Sequence, residues 1–252
     1  MTDITLFGFN NLTKSLSFSL YKLHYIDEHT ISYNQFIKEH YNADNLNTML
    51  TTICHAIGGN VLNIAMQDYQ PQGASVTLMI SEESQAEPLP ESPVGSLIAH
   101  LDKSHLCIHT YPEESPQNGM AIFRADVELS TCGVISPLEV LNFVINTFDA
   151  DVIDIDYRIR GMTRNTTGQK LFTIDKLNNL SDFLSTKLTT KYEISEHNLP
   201  KQQLYHSKLR RKRVSLEDHI FGAGDDSLSK DKQCSINASI EQEIEQLFTN
   251  TY

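Results

Sequence analysis

Strict two-residue alternation constrains this chain more than any other feature. Over 152–160, Ile153, Ile155, Tyr157 and Ile159 interleave with Asp154, Asp156, Arg158 and Arg160. Over 121–129, Phe123, Ala125, Val127 and Leu129 interleave with Arg124, Asp126 and Glu128. Successive strand side chains point to opposite faces, so each segment reads as a strand with one apolar and one charged face. Val76, Leu78 and Ile80 repeat the pattern, as do Leu62, Ile64 and Met66, and another strand is predicted over 105–110. Strands buried on one side only are characteristic of antiparallel sheets. Apolar residues at 3–4 spacing predict a helix over 43–59 (Leu46, Met49, Leu50, Ile53, Ile57), stopped at Gly58–Gly59. Leu141, Val144, Ile145 and Phe148 predict a second. Ser136-Pro137-Leu138-Glu139 reads as its start, with serine capping, proline at the first helical position and Glu139 closing a capping box. The expected fold class is therefore α+β, an antiparallel-rich sheet with helices packed on one face.

Charge narrows the function classes. Twenty Lys+Arg against thirty-two Asp+Glu give a net charge of −12, against the clustered positive field that nucleic-acid binding needs. No run of 18 apolar residues occurs and the N-terminal segment lacks a signal pattern, so no membrane partner is expected. Four scattered cysteines (Cys54, Cys107, Cys132, Cys234) do not make a disulfide framework, and the chain reads as cytoplasmic. A βαβ rhythm with a phosphate-binding glycine loop is missing, so neither nucleotide fold is supported. Residues 82–96 carry three prolines and no periodicity and read as a loop. From about 185 the character changes. The basic run Lys208–Arg213 reads as solvated surface, and Ile240, Ile244, Leu247 and Phe248 stripe a short last helix.

The densest reactive stretch is His100-Leu-Asp-Lys-Ser-His-Leu-Cys-Ile-His109. Alternation puts His105, Cys107 and His109 on one strand face, and imidazole and thiolate suit zinc. Residues four apart on a strand lie about 13 Å apart, however, so one ion reaches all three only across a bulge. A zinc-binding module using His100, His105, Cys107 and His109 is thus one reading, and ordinary surface or core histidines are the other.

The same residues carry a resemblance. Asp102-Lys-Ser-His105, followed by His109-Thr-Tyr-Pro-Glu113 and Ser130-Thr-Cys-Gly133, resembles the prokaryotic S-adenosylmethionine decarboxylases. Phe7-Gly-Phe-Asn-Asn-Leu-Thr-Lys-Ser-Leu16, Gln67-Asp-Tyr-Gln-Pro-Gln-Gly-Ala-Ser75 and Asp156-Tyr-Arg-Ile-Arg-Gly161 resemble the longer bacterial subgroup. The likeness covers roughly 5–180 and leaves 185–252 as a divergent C-terminal extension.

The resemblance implies a proenzyme forming a single decarboxylase domain over 1–252. Self-cleavage between Lys103 and Ser104 would give a β chain (1–103) and an α chain (104–252). Ser104 would attack the Lys103 carbonyl from a tight bend at 102–104 and end as a pyruvoyl cofactor, with His109 as the processing base. That carbonyl would form a Schiff base with S-adenosylmethionine and accept the electrons that decarboxylation leaves behind. Cys132, which its context alone reads as a small buried apolar side chain, would return a proton to the α-carbon. A nearby helix start would lower its thiol pKa. Glu113 would hold the ribose hydroxyls, Ser75 would line the pocket and Tyr111 would pack near the ligand. Dimers or tetramers of αβ units and magnesium activation are also implied, with Asp154, Asp156, Glu113 and Glu114 as acids available to such an ion. A non-catalytic decarboxylase-like binding subunit is the further alternative, against which the retention of Lys103–Ser104, His109 and Cys132 counts.

Overall fold

The computed structural model describes residues 11–27, 29–82, 103–113, 116, 119–132, 135–164, 167–172, 177–221 and 228–251. The predicted loop at 82–96, His100 and Asp102 lie almost wholly outside them. Among the described residues, eight strands form one antiparallel sheet: β1 (Thr13–Tyr25), β2 (Gly59–Asp68), β3 (Ala74–Glu82), β4 (Lys103–Pro112), β5 (Met120–Cys132), β6 (Val152–Arg160), β9 (Tyr192–Glu196) and β10 (Leu204–Arg211). Their order across the sheet is β2-β3-β4-β5-β1-β6-β10-β9. Two short strands, β7 (Thr163–Arg164) and β8 (Lys170–Leu171), pair separately. The sheet is α+β, as the alternation requires.

Its inner face carries the apolar phase of every central strand. Leu16, Phe18 and Leu20 of β1, Ala125, Val127 and Leu129 of β5, and Ile153, Ile155, Tyr157 and Ile159 of β6 are all buried. Helices α1 (Thr30–His40), α2 (Ala43–Ala56) and α3 (Leu141–Phe148) pack into this core. The predicted stripes hold, with Leu46, Leu50 and Ile53 of α2 and Leu141, Val144, Ile145 and Phe148 of α3 buried. A short helix, α4 (Thr186–Lys191), adds Leu188.

Several sequence expectations need correction. Leu62, Ile64 and Met66 do lie in a strand, but β2 is the edge of the sheet and they are 43–49% exposed. An edge strand has a covered neighbour on one side only. The capping box also fails: Ser136 makes no side-chain cap, and Pro137–Val140 is a 3₁₀ turn that precedes α3. The last helix is long rather than short. This helix, α5 (Lys230–Thr249), lies across the opposite face of the sheet, where Ile236, Ile240 and Ile244 pack with Leu23, Met120 and Val152 in a second small core. The basic run is solvated surface only at Lys212 and Arg213. It is strand β10 and the residues after it, with Lys208 and Arg211 buried and paired to acids.

Candidate active site

Alternation decides where each reactive side chain points. In β4 the even residues from Ser104 to Thr110 face the core, and His105, Cys107, His109 and Tyr111 face the outer side. The outer face is polar: His105 lies opposite Ser130, Cys107 opposite Glu128, His109 opposite Asp126 and Tyr111 opposite Arg124. Among the described residues no three His, Cys, Asp or Glu side chains are placed to hold a metal ion. Burial, then the charge of Glu128, pushes the Cys107 thiol up and away from the thiolate that zinc requires. Regular strand spacing thus removes the basis for zinc at His105, Cys107 and His109.

Ser104 meets the backbone of Cys132, whose side chain lies on the outer face with Thr13, Ser15 and Ser130. Ser104 is 2% exposed at the start of β4, and its Oγ accepts the Cys132 backbone N–H at 3.0 Å. The Cys132 Sγ lies 3.9 Å from Thr13 Oγ1, and Arg160 is the other neighbour of Thr13. Ser15 bonds Ser130 at 3.3 Å and accepts from Arg160 at 3.1 Å. On the inner face, Thr131 Oγ1 (3.1 Å) and Lys14 Nζ (2.8 Å) donate to one acceptor, the Ile135 carbonyl. Ser104 and its predecessor are in extended pairing with β3 (Ser104 to Ile80, Lys103 to Ser81), not in a bend; Asp102 lies outside the described residues. The 3₁₀ turn stands between Cys132 and α3, so the macrodipole argument for its thiol loses its basis, because that field fades within a helical turn.

His109 stands elsewhere in the uncleaved chain. It is five residues along β4 from Ser104, about 16 Å at strand rise, and on the opposite face. There it lies across from Ser75 and lines an open cleft of about 360 Å³ with Tyr69, Gln72, Thr110, Tyr111 and Pro112. Tyr69 Oη and Ser75 Oγ are hydrogen-bonded at 2.7 Å, and the Arg124 guanidinium sits 4.4 Å above the Tyr111 ring. Gly73 sets the turn before β3: at φ +97° a Cβ there would lie 2.8 Å from the Thr110 carbonyl oxygen. Gly161, which ends the 156–161 segment, has the same need against the Asn11 backbone. Glu113 accepts the Ile122 N–H at 3.1 Å and is otherwise exposed beside this cleft.

The scan against family models matches residues 38–161 to S-adenosylmethionine decarboxylase. Curated relatives named S-adenosylmethionine decarboxylase proenzyme include those of Pseudoalteromonas translucida (42% identical, 97% of this chain and 94% of the relative) and Stenotrophomonas maltophilia (43%, 96% and 93%). The chain belongs to the S-adenosylmethionine decarboxylase family. Among solved structures, adenosylmethionine decarboxylase from Aquifex aeolicus aligns at 15% identity and TM-score 0.38, covering 68% of this chain and 98% of that one. The fold assignment rests instead on the strand register above. Magnesium has no evident site at the acids named for it: Asp154 pairs with Lys208 (3.5 Å), Asp156 with His206 (2.9 Å) and Glu113 with backbone, while Glu114 lies outside the described residues. Sequence reasoning missed Lys14, Thr131 and Tyr69. The available signal for Lys14 was a lysine standing in the apolar phase of Leu12, Leu16, Phe18 and Leu20.

Proposed function

We propose that Lys103–Ser104 is the bond this family member cuts in itself, giving chains 1–103 and 104–252. The observation that supports it most is the hydrogen bond from the Cys132 N–H to Ser104 Oγ, which couples the cleavage serine to the residue carrying the acid. The chain is an S-adenosylmethionine decarboxylase proenzyme, a pyruvoyl-dependent carboxy-lyase.

Processing starts when Ser104 Oγ attacks the Lys103 carbonyl carbon, turning the amide into an ester as the hydroxyl proton passes to the freed nitrogen. Burial of Ser104 limits water at that ester, which favours elimination over hydrolysis. Elimination needs a base for the α-proton of residue 104, and His109 is assigned that role. In the uncleaved sheet His109 is on the other face, so the first residues of β4 must leave β3 before the step. The proton goes to the imidazole, the carbon–oxygen bond breaks, and Lys103 departs as a carboxylate. Hydrolysis of the remaining dehydroalanine releases ammonia.

The pyruvoyl group, once formed, supplies an electron sink for the pair left by departing carbon dioxide. Its substrate is S-adenosylmethionine and its product S-adenosylmethioninamine, the aminopropyl donor of spermidine biosynthesis. Cys132 returns a proton to the substrate α-carbon. Ser75, Tyr111 and Glu113, around or beside the His109 cleft, contact the substrate, with Glu113 on the ribose hydroxyls. The working form is a cytoplasmic dimer or tetramer of αβ units, and no step is routed through magnesium.

The test is Ser104→Ala. Denatured mass spectrometry should find one uncut chain without decarboxylase activity, and cleavage that survives the substitution would falsify the assignment.

A further inference from the structure

We infer that Lys14 is a positioning residue for self-cleavage, acting through the Ile135 carbonyl that it shares with Thr131. The inference rests on Lys103–Ser104 being the cleaved bond.

Lys14 is 1% exposed, on the inner face of β1, in the phase otherwise filled by Leu16, Phe18 and Leu20. Burying an ammonium carries a desolvation penalty, so an apolar side chain would build this strand at lower cost. Lys14 pairs across β5 with Thr131, and Thr131 precedes the residue whose N–H holds Ser104. One inner-face row thus runs from Ser104 through Thr131 to Lys14.

The Ile135 carbonyl explains what the row does. Thr131 already gives it a hydrogen bond, so the ammonium is not needed to satisfy that oxygen. A carbonyl held from β5 alone ties Ile135 only to Thr131, the residue before Cys132. A second donor from β1 fixes it against the neighbouring strand as well. Cys132 then holds its N–H on Ser104 Oγ, orienting the oxygen for attack and stabilising it as it loses its proton.

The experiment follows cleavage of pulse-labelled full chain made by cell-free synthesis, with near-ultraviolet circular dichroism and thermal midpoint read on each variant. Lys14→Met should fold and cleave about 10–100-fold more slowly, since misplacement on the order of 1 Å can cost about 100-fold. Lys14→Arg, which retains a donor, should recover part of the rate, a rescue that loss of packing does not predict. Thr131→Val keeps volume and the buried charge and should also cleave more slowly. Folded Lys14→Met that cleaves at the wild-type rate overturns the inference. Should Lys14→Met not fold, wild-type cleavage by Thr131→Val overturns it in the same way. A wild-type chain that stays intact instead overturns the assignment of the cleaved bond.

Discussion

The two ends of β1 are built from opposite materials. At the Leu23 end the fully buried Asp151 carboxylate accepts the Leu23 N–H at 2.9 Å and faces His219 at 3.0 Å and Lys22 at 3.5 Å. Arg211 Nε lies 2.8 Å away as an ion pair without hydrogen-bond alignment. His219 itself is held by the Ser215 carbonyl at 2.7 Å. At the Thr13 end Ser104 Oγ accepts the Cys132 N–H at 3.0 Å and Cys132 Sγ lies 3.9 Å from the Thr13 hydroxyl, with Lys14 held on the inner face by the Ile135 carbonyl. A dense ionic cluster fixes geometry because breaking it strands a buried charge. A weakly tied set of hydroxyls leaves a serine free to rearrange. Cleavage at Lys103 sharpens the contrast: Lys22 and Leu23 would fall in one chain, and Asp151, Arg211 and His219 in the other. The Asp151 end then clamps the products together while the Thr13 end changes covalently.

The largest effect that would sharpen this contrast belongs to the Thr13 end. Cys132→Ala should cleave yet lose on the order of 10²–10⁴ in turnover, with an unchanged thermal midpoint, the loss typical of a missing acid. Steady-state kinetics and calorimetry on one preparation check both halves. At the other end, Asp151→Asn removes the buried carboxylate from Lys22 and leaves Arg211 with Asp149 (2.9 Å) and the more distant Asp218 (3.9 Å), and should cost about 3–5 kcal/mol by denaturant unfolding. A cost below about 1 kcal/mol would break the comparison.

Acid titration gives the smallest and most graded effect. Burial raises the Asp151 carboxyl, but the His219 hydrogen bond and the charges of Lys22, His219 and Arg211 outweigh it and hold the group at about 2. Its folded-state pKa is depressed, so its contribution is present above about pH 4 and is lost as pH falls towards 2. Next to it, burial and then the Lys22 charge push His24 down to about 4, against the opposing pull of Asp151. His24 favours the fold while neutral, and that contribution is lost as pH falls from 6.5 towards 4. Unfolding free energy against pH should therefore decline in two steps. His24→Phe should remove the upper step and Asp151→Asn the lower.

Much of the sheet was legible because alternation is local. β5 and β6 show their faces residue by residue, and the Val76 to Ile80 phase of β3 is buried as read. β1 is visible in the same way, with Ser15, Ser17 and Ser19 between Leu16, Phe18 and Leu20. What stayed hidden depends on distant partners. The Lys208–Arg211 part of the run looks like surface until Asp149, Asp151 and Asp154 arrive beside it from 54 or more residues away in the chain. Exposure of Leu62, Ile64 and Met66 follows from β2 being an edge, which the pattern of β2 alone does not encode. In the site, the hydrogen bond from the Cys132 N–H to Ser104 Oγ joins residues 28 apart in the chain, a contact that no local pattern encodes. The separation of His109 from Ser104 follows from strand parity and five residues of rise, and was open to simple counting.

The central claim is that one chain becomes two at Lys103–Ser104, and the denatured mass spectrum of freshly purified protein tests it most directly. Apportioning 28.5 kDa over 103 and 149 residues predicts chains of about 12 and 17 kDa, the larger beginning with a pyruvoyl group. A single species near 28.5 kDa that stays intact on incubation would contradict it.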